Sequence, residues 1–145
     1  MNKTQNDGEV PLLLAVPLMQ RVVLGNFRQL HFPYTKSQLY VLIALRYRGS
    51  LTMKEVAGHL CCSKEQATRA VAPLADDGLI ERRIDEENRS RIHVCLTPEG
   101  EELLREYVAQ LSERIDEYLC EALDEEERRE LHEAVDVVLR ILGKL

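Results

Sequence analysis

The chain has 145 residues, 45% hydrophobic and 30% charged, with no tryptophan and a net charge of −6. That length suits one domain able to bury its own core, and four cysteines without framework spacing argue against a disulfide scaffold. No apolar run reaches the roughly 20 residues of a membrane span, and MNKTQNDGEV lacks the apolar heart of a signal peptide, so the expected compartment is the cytoplasm.

A first helix is expected from within residues 11–17 to about Leu30, with Pro11 and Pro17 competing to start or kink it. His31-Phe32-Pro33-Tyr34 then reads as a non-helical joint. Thr35 and Gln38 form a capping box that opens a second helix running to about Arg48, with Gly49 as its stop and Leu39, Leu42, Ile43 and Leu45 as its apolar face. A second box, Thr52 with Glu55, opens a short helix through Leu60. A third, Ser63 with Gln66, opens a helix from Lys64 to Asp77 that ends at Gly78. Val56, Ala57, Leu60, Ala67, Ala70, Val71 and Leu74 are the inward positions of this pair.

The next stretch, Leu79 to Gly100, predicts a hairpin. Leu79, Ile80 and Ile84 face Ile92, Val94 and Leu96, the latter trio at strict period two, across the polar connector Asp85 to Ser90. Thr97 caps a further helix with Pro98 in its first position. Along that helix Leu104, Val108, Leu111, Ile115, Tyr118 and Ala122 form a heptad seam. Asp124 and Glu127 cap a last helix carrying Leu131, Val135, Val138, Leu142 and Leu145.

Short helix, tight turn, helix and basic-tipped hairpin together make a mainly α chain with a small β wing, the winged helix-turn-helix arrangement that holds DNA. Once the apolar positions pack, Ser63, Lys64, Gln66, Thr68 and Arg69 are left on the outer face of the second helix of the pair. Gln66 suits adenine and Arg69 suits guanine or a phosphate. Arg89 and Arg91 mark the wing, while Arg82 and Arg83 divide between phosphate contact and plain surface. The acidic balance does not oppose this: residues 98–145 carry 6 basic and 15 acidic side chains, whereas residues 46–97 carry 9 and 8. The apolar N-terminal helix and the two C-terminal helices expose more apolar face than the winged part can cover, which favours a dimer over an intramolecular helical hairpin.

Across nearly its whole length the chain resembles the MarR family of bacterial transcriptional regulators. The resemblance rests on Ser63, Lys64, Thr68 and Arg69 followed by Gly78, Leu79 and Ile80, and on Asp85, Asn88 and Arg89 followed by Val94, Leu96, Thr97 and Gly100. It implies a homodimer in which 11–34 and 98–145 dimerise and 35–97 form the winged part, bound to a pseudo-palindromic operator in double-stranded DNA. The helix from Ser63 would enter the major groove and Arg89 the minor groove, with Arg83 and Arg91 beside it. It further implies release by a small aromatic or lipophilic effector, in a pocket near Phe27, His31, Phe32, Tyr34 and Tyr40, for which packing of the joint is the plainer role. Three features depart from the family pattern: Asn88 replaces the usual acid before the wing arginine, Pro73 stands inside the recognition helix, and Glu65 faces the DNA side.

Cys61 and Cys62 occupy the turn before the recognition helix, where the helix dipole favours a thiolate, and are the possible redox pair; packing of the turn is the plainer role. Cys95 falls at a polar-phase strand position and Cys120 on the long helix. His31, His59, His93 and His132 are dispersed without ligand spacing, so no metal site is expected, and no cofactor motif is present. No phosphate loop, carboxylate pair or nucleophile–base pair supports an enzyme. The alternatives are a thiol- or metal-responsive regulator of the same fold, or a winged dimer that binds only protein.

Overall fold

A computed structural model describes residues 11–27, 30–85, 88–89 and 91–144. The described residues form six helices and one three-stranded antiparallel sheet, which is the mainly α, winged helix-turn-helix class expected. The chain divides into two compact units, one of Met1–Leu30 with Gln110–Leu145 and one of His31–Ala109.

The second unit holds the core. Helix α2 (Lys36–Arg48) begins at Thr35, whose hydroxyl accepts from the Gln38 N–H while the Gln38 side chain accepts from the Thr35 N–H, and stops at Gly49, where φ is 77°. Its buried face is Leu39, Val41, Leu42 and Leu45; Ile43, expected there, is only half-buried. Helix α3 (Met53–His59) and helix α4 (Lys64–Asp76) open on the expected boxes at Thr52 and Ser63. Val56, Ala57, Ala67, Val71 and Leu74 are buried between them, with Leu60 and Ala70 half-buried at the edge. Pro73 removes one backbone donor, yet α4 continues through it to Asp76. Because each box satisfies otherwise orphaned N–H groups, Thr35→Ala is expected to cost about 1 kcal/mol, read as a melting temperature a few degrees lower.

The hairpin is strand β2 (Ile80–Ile84) against strand β3 (Ile92–Leu96), in the register Ile80↔Leu96, Arg82↔Val94 and Ile84↔Ile92. The sequence reading missed a third strand, β1 (Ser50–Thr52), which pairs with the other edge of β3 through Leu51↔Val94 and makes β3 central. That placement also accounts for Cys95, which sits at a polar-phase strand position and yet packs. It does lie on the outer face, but neighbouring strands on both sides cover the small side chain, leaving it 6% exposed. At the far end of the hairpin Ile84 and Ile92 stay exposed, so the core stops short of the tip.

Helix α5 (Pro98–Ala122) starts where Thr97 bonds in both directions, its hydroxyl donating to the Gly78 carbonyl at 2.6 Å and accepting from the Gly100 N–H at 3.1 Å. Within α5 the buried row is Leu104, Tyr107, Leu111 and Leu119, while Tyr118 and Ala122 of the expected seam are exposed. A straight helix at 3.6 residues per turn drifts away from a seven-residue repeat, which moves burial from Tyr118 to Leu119.

In the other unit, helix α1 (Pro11–Phe27) contains Pro17; residues 28 and 29, expected in its last turn, lie outside the described residues. Helix α6 (Glu125–Leu142) opens on the expected Asp124–Glu127 box; Leu145, assigned to its seam, is also outside the described residues. Leu12, Leu13, Leu14, Leu18 and Met19 of α1, and Leu131, Val137, Leu139, Ile141 and Leu142 of α6, are all exposed. No described helix is long and apolar enough to cross a membrane.

Candidate nucleic-acid interface

Packing of Ala67, Val71 and Leu74 against the core turns Lys64, Glu65, Thr68 and Arg69 outward along α4. The Thr68 hydroxyl donates back to the Lys64 carbonyl at 2.8 Å, which fixes its rotamer. The Gln66 amide is folded onto the helix start, its oxygen accepting from the Ser63 N–H at 3.0 Å. Bidentate pairing with adenine uses that oxygen, so the capping bond competes with this mode of base reading, while the Gln66 amide NH2 takes no part in the cap. Its own backbone N–H and the Ser63 hydroxyl hold the Glu65 carboxyl below the usual range, so it stays charged at neutral pH.

Between the start of α3, the start of α4 and the hairpin lies a cleft of 390 Å³. Lys54, Lys64, Arg82 and Arg91 surround it, the Thr52 and Thr68 hydroxyls add donors, and Met53, Ile92 and Val94 form an apolar floor. Among the described residues no carboxylate lines it. Four cations around one groove, in a protein of net charge −6, form a local positive field suited to a polyanion's phosphates. The cleft thus brings together Lys64, Thr68 and Arg91 of the expected DNA-facing residues, Arg82 of the Arg82–Arg83 pair, and Lys54, which the sequence did not single out. Period two could have separated Arg82 from Arg83, since Arg82 shares its face with Ile80 and Ile84.

Arg83 is on the opposite face of β2. Its Nε donates to Glu81 Oε1 at 2.8 Å, and it stands across from His93 of β3. A cleft of 400 Å³ on this outer face is lined by Arg48, Ser50, Arg83, His93 and Cys95, away from α4. Burial first, and Glu81 beside it, push the Cys95 thiol up, although Arg83 opposes the shift. Ser63, Arg69, Arg89 and Arg91 are exposed, Arg89 at the wing tip. The wing turn is closed by the Arg91 N–H donating to the Asn88 carbonyl at 2.8 Å and the Asp85 N–H donating to the Arg91 carbonyl at 3.0 Å.

Cys61 is exposed with φ 50°, a left-handed conformation uncommon for a side-chain-bearing residue, and its Sγ lies 3.6 Å from the Gly58 carbonyl; Cys62 is half-buried. Of the residues expected around an effector, Phe32 and Tyr34 meet edge to face with ring centroids 5.6 Å apart. Tyr107, which the sequence reading missed, packs against Phe32 with ring centroids 4.0 Å apart and the planes tilted by 36°. It lies one position before the seam residue Val108, where a bulky aromatic was the available signal. The Tyr34 hydroxyl donates to Asp77 Oδ2 at 2.8 Å, tying the joint to the end of α4. Tyr40 is exposed on α2 and outside this cluster, His31 is exposed, and Phe27 belongs to the other unit. Among the described residues no three His, Cys, Asp or Glu side chains gather as metal ligands.

A sequence model of the MarR family matches residues 34–92. The Bacillus subtilis (strain 168) protein YwoH, an uncharacterised HTH-type transcriptional regulator, is 31% identical over 101 residues, 70% of this chain and 73% of its own length. Among solved structures, the apo form of wild-type MarR from E. coli superposes with a TM-score of 0.73 at 21% identity, covering 91% of this chain and 99% of its own, a likeness of fold. BpsR of Bordetella bronchiseptica, whose DNA binding is regulated by 6-hydroxynicotinic acid, superposes with a TM-score of 0.64 at 26% identity, covering 93% and 99%.

Proposed function

The chain belongs to the MarR family of winged helix-turn-helix transcriptional regulators, DNA-binding proteins rather than enzymes, and we propose that it works as a cytoplasmic repressor, a homodimer on a pseudo-palindromic operator released by a small aromatic effector. The observation that carries DNA contact is the α4–wing cleft, where four cations gather and, among the described residues, no carboxylate lines the groove. In this reading residues 35–97 meet the duplex: Lys54, Lys64, Arg82 and Arg91 take phosphates, Thr68, Arg69 and Gln66 read base edges, and Arg89 reaches the minor groove.

Residues 11–34 and 98–145 dimerise, a role supported by the exposed leucines, valines and isoleucines along α1 and α6. Such faces are too apolar to stay in water on a soluble chain. An effector acting near Phe32, Tyr34 and Tyr107 is supported by that aromatic cluster and by its tie through Tyr34 to the end of α4. The regulation of BpsR by a flat aromatic acid agrees with the same chemistry.

The test is selection of duplexes from a random library by the purified protein, followed by affinity measured across a salt series. A two-fold-symmetric sequence should be enriched, and log affinity should fall linearly with log salt by about 0.9 for each phosphate neutralised. No enrichment together with a flat salt response would replace the repressor by a protein-binding winged dimer.

A further inference from the structure

Resting on the reading that the wing meets DNA, we propose that His93 is a positioning residue for it: its ring fixes the Asp85 carboxylate around which the turn presenting Arg89 and Arg91 is built. The need for such an anchor follows from the hairpin itself. The last cross-strand pair, Ile84 and Ile92, is 66% and 47% exposed, so apolar burial does not hold the tip. Asn88, directly before Arg89, brings no charge of its own to the turn. Order at the tip therefore has to come from polar contacts.

Asp85 supplies them with both carboxylate oxygens. Oδ1 accepts from the Asn88 N–H at 3.0 Å, inside the turn, while Oδ2 lies 3.0 Å from His93 Nε2, on the far strand. Its own N–H bonds the Arg91 carbonyl, so one residue touches the turn, the strand after it and the ring behind it. Contacts at both oxygens restrict rotation about the Cβ–Cγ bond more than a contact at one. His93 is well placed to do the holding because β3 is the central strand, with Thr52 opposite it on β1 and Arg83 on β2. Arg83 is engaged by Glu81. His93 Nδ1 is buried with no hydrogen-bond partner among the described residues, which assigns the proton to Nε2 and makes the ring the donor to Asp85.

The test uses the full chain, the duplex selected above, and His93→Phe, His93→Gln and Asp85→Asn. Glutamine carries an N–H donor at nearly the reach of Nε2, whereas phenylalanine keeps the ring and loses the donor. His93→Phe is expected to weaken binding about fivefold, the weight of one hydrogen bond, with His93→Gln restoring affinity to within about twofold of the parent. Asp85→Asn should resemble His93→Phe. In the free protein, solvent exchange of the Asn88 and Arg91 amides, followed by NMR, should quicken in His93→Phe and Asp85→Asn but not in His93→Gln. Unchanged exchange in His93→Phe, or a glutamine variant as impaired as the phenylalanine one, overturns the proposal. If the parent protein binds no duplex, the DNA reading fails, and the amide exchange alone still decides whether His93 orders the wing.

Discussion

Gly100→Ala is expected to lower the melting temperature by about 10 °C, equivalent to roughly 3 kcal/mol, without any change at the DNA-facing surface. An ideal Cβ on Gly100 would stand 2.0 Å from the Leu79 carbonyl oxygen and 2.9 Å from its carbon. Both are backbone atoms, so no side chain can swing aside. The Leu79 carbonyl is itself held by the Thr97 N–H at 3.0 Å, and the Thr97 hydroxyl grips the neighbouring Gly78 carbonyl. The first turn of α5 is thus clamped directly onto the start of the wing, and an extra methyl must pry apart two elements that the core holds together. Gly58→Ala is the control: nothing lies within 4 Å of its added Cβ, and alanine favours the helix. Thermal denaturation of both variants checks the claim. A Gly100→Ala protein melting with the parent would mean that this junction is looser than described.

The second large effect concerns the cleft. Lys64→Ala combined with Arg91→Ala is expected to weaken duplex binding by tenfold or more and to reduce the slope of log affinity against log salt by about 2, one unit for each lost phosphate contact. Both side chains are exposed, so the melting temperature should stay within about 1 °C of the parent. Arg83→Ala should leave affinity and slope nearly unchanged, because Arg83 is engaged by Glu81 on the opposite face of the hairpin. This reverses what the arginine-rich wing sequence suggests at first sight. A loss from Arg83→Ala as large as from the Lys64–Arg91 pair would mean that DNA meets the outer face of the sheet.

What the sequence made legible is what local chemistry decides. The boxes at Thr35, Thr52, Ser63 and Asp124 all form, since each needs only a side chain and an N–H three residues apart. Period two marked strand β3, where Ile92, Val94 and Leu96 share one face, while Leu79 of the opposing trio precedes β2. Strand β1 was hidden: three residues carry no period, and Ser50–Thr52 is a strand only because β3 offers an edge to pair with. The burial of Cys95 follows from that unseen neighbour. Arg82 and Arg83 were adjacent letters, yet the pleat sends one to the positive cleft and the other to Glu81. Lys54 and Tyr107 join their clusters through contacts distant in sequence, with α4 and the hairpin in one case and with Phe32 in the other, which spacing along the chain does not report. Gln66 shows the reverse: the residue was legible as a reader of adenine, but its amide oxygen is already bonded into the cap.

The most direct test of the account is cross-linking from defined positions to the selected duplex. Variants carrying p-benzoylphenylalanine in place of Thr68 in the cleft, Arg89 at the wing tip, and Arg83 on the outer face would be irradiated with the duplex bound. Adducts are expected from Thr68→p-benzoylphenylalanine and Arg89→p-benzoylphenylalanine, those from Thr68 recurring in the two half-sites about one helical turn apart, and none from Arg83→p-benzoylphenylalanine. Adducts from the Arg83 position with none from Thr68 would contradict it.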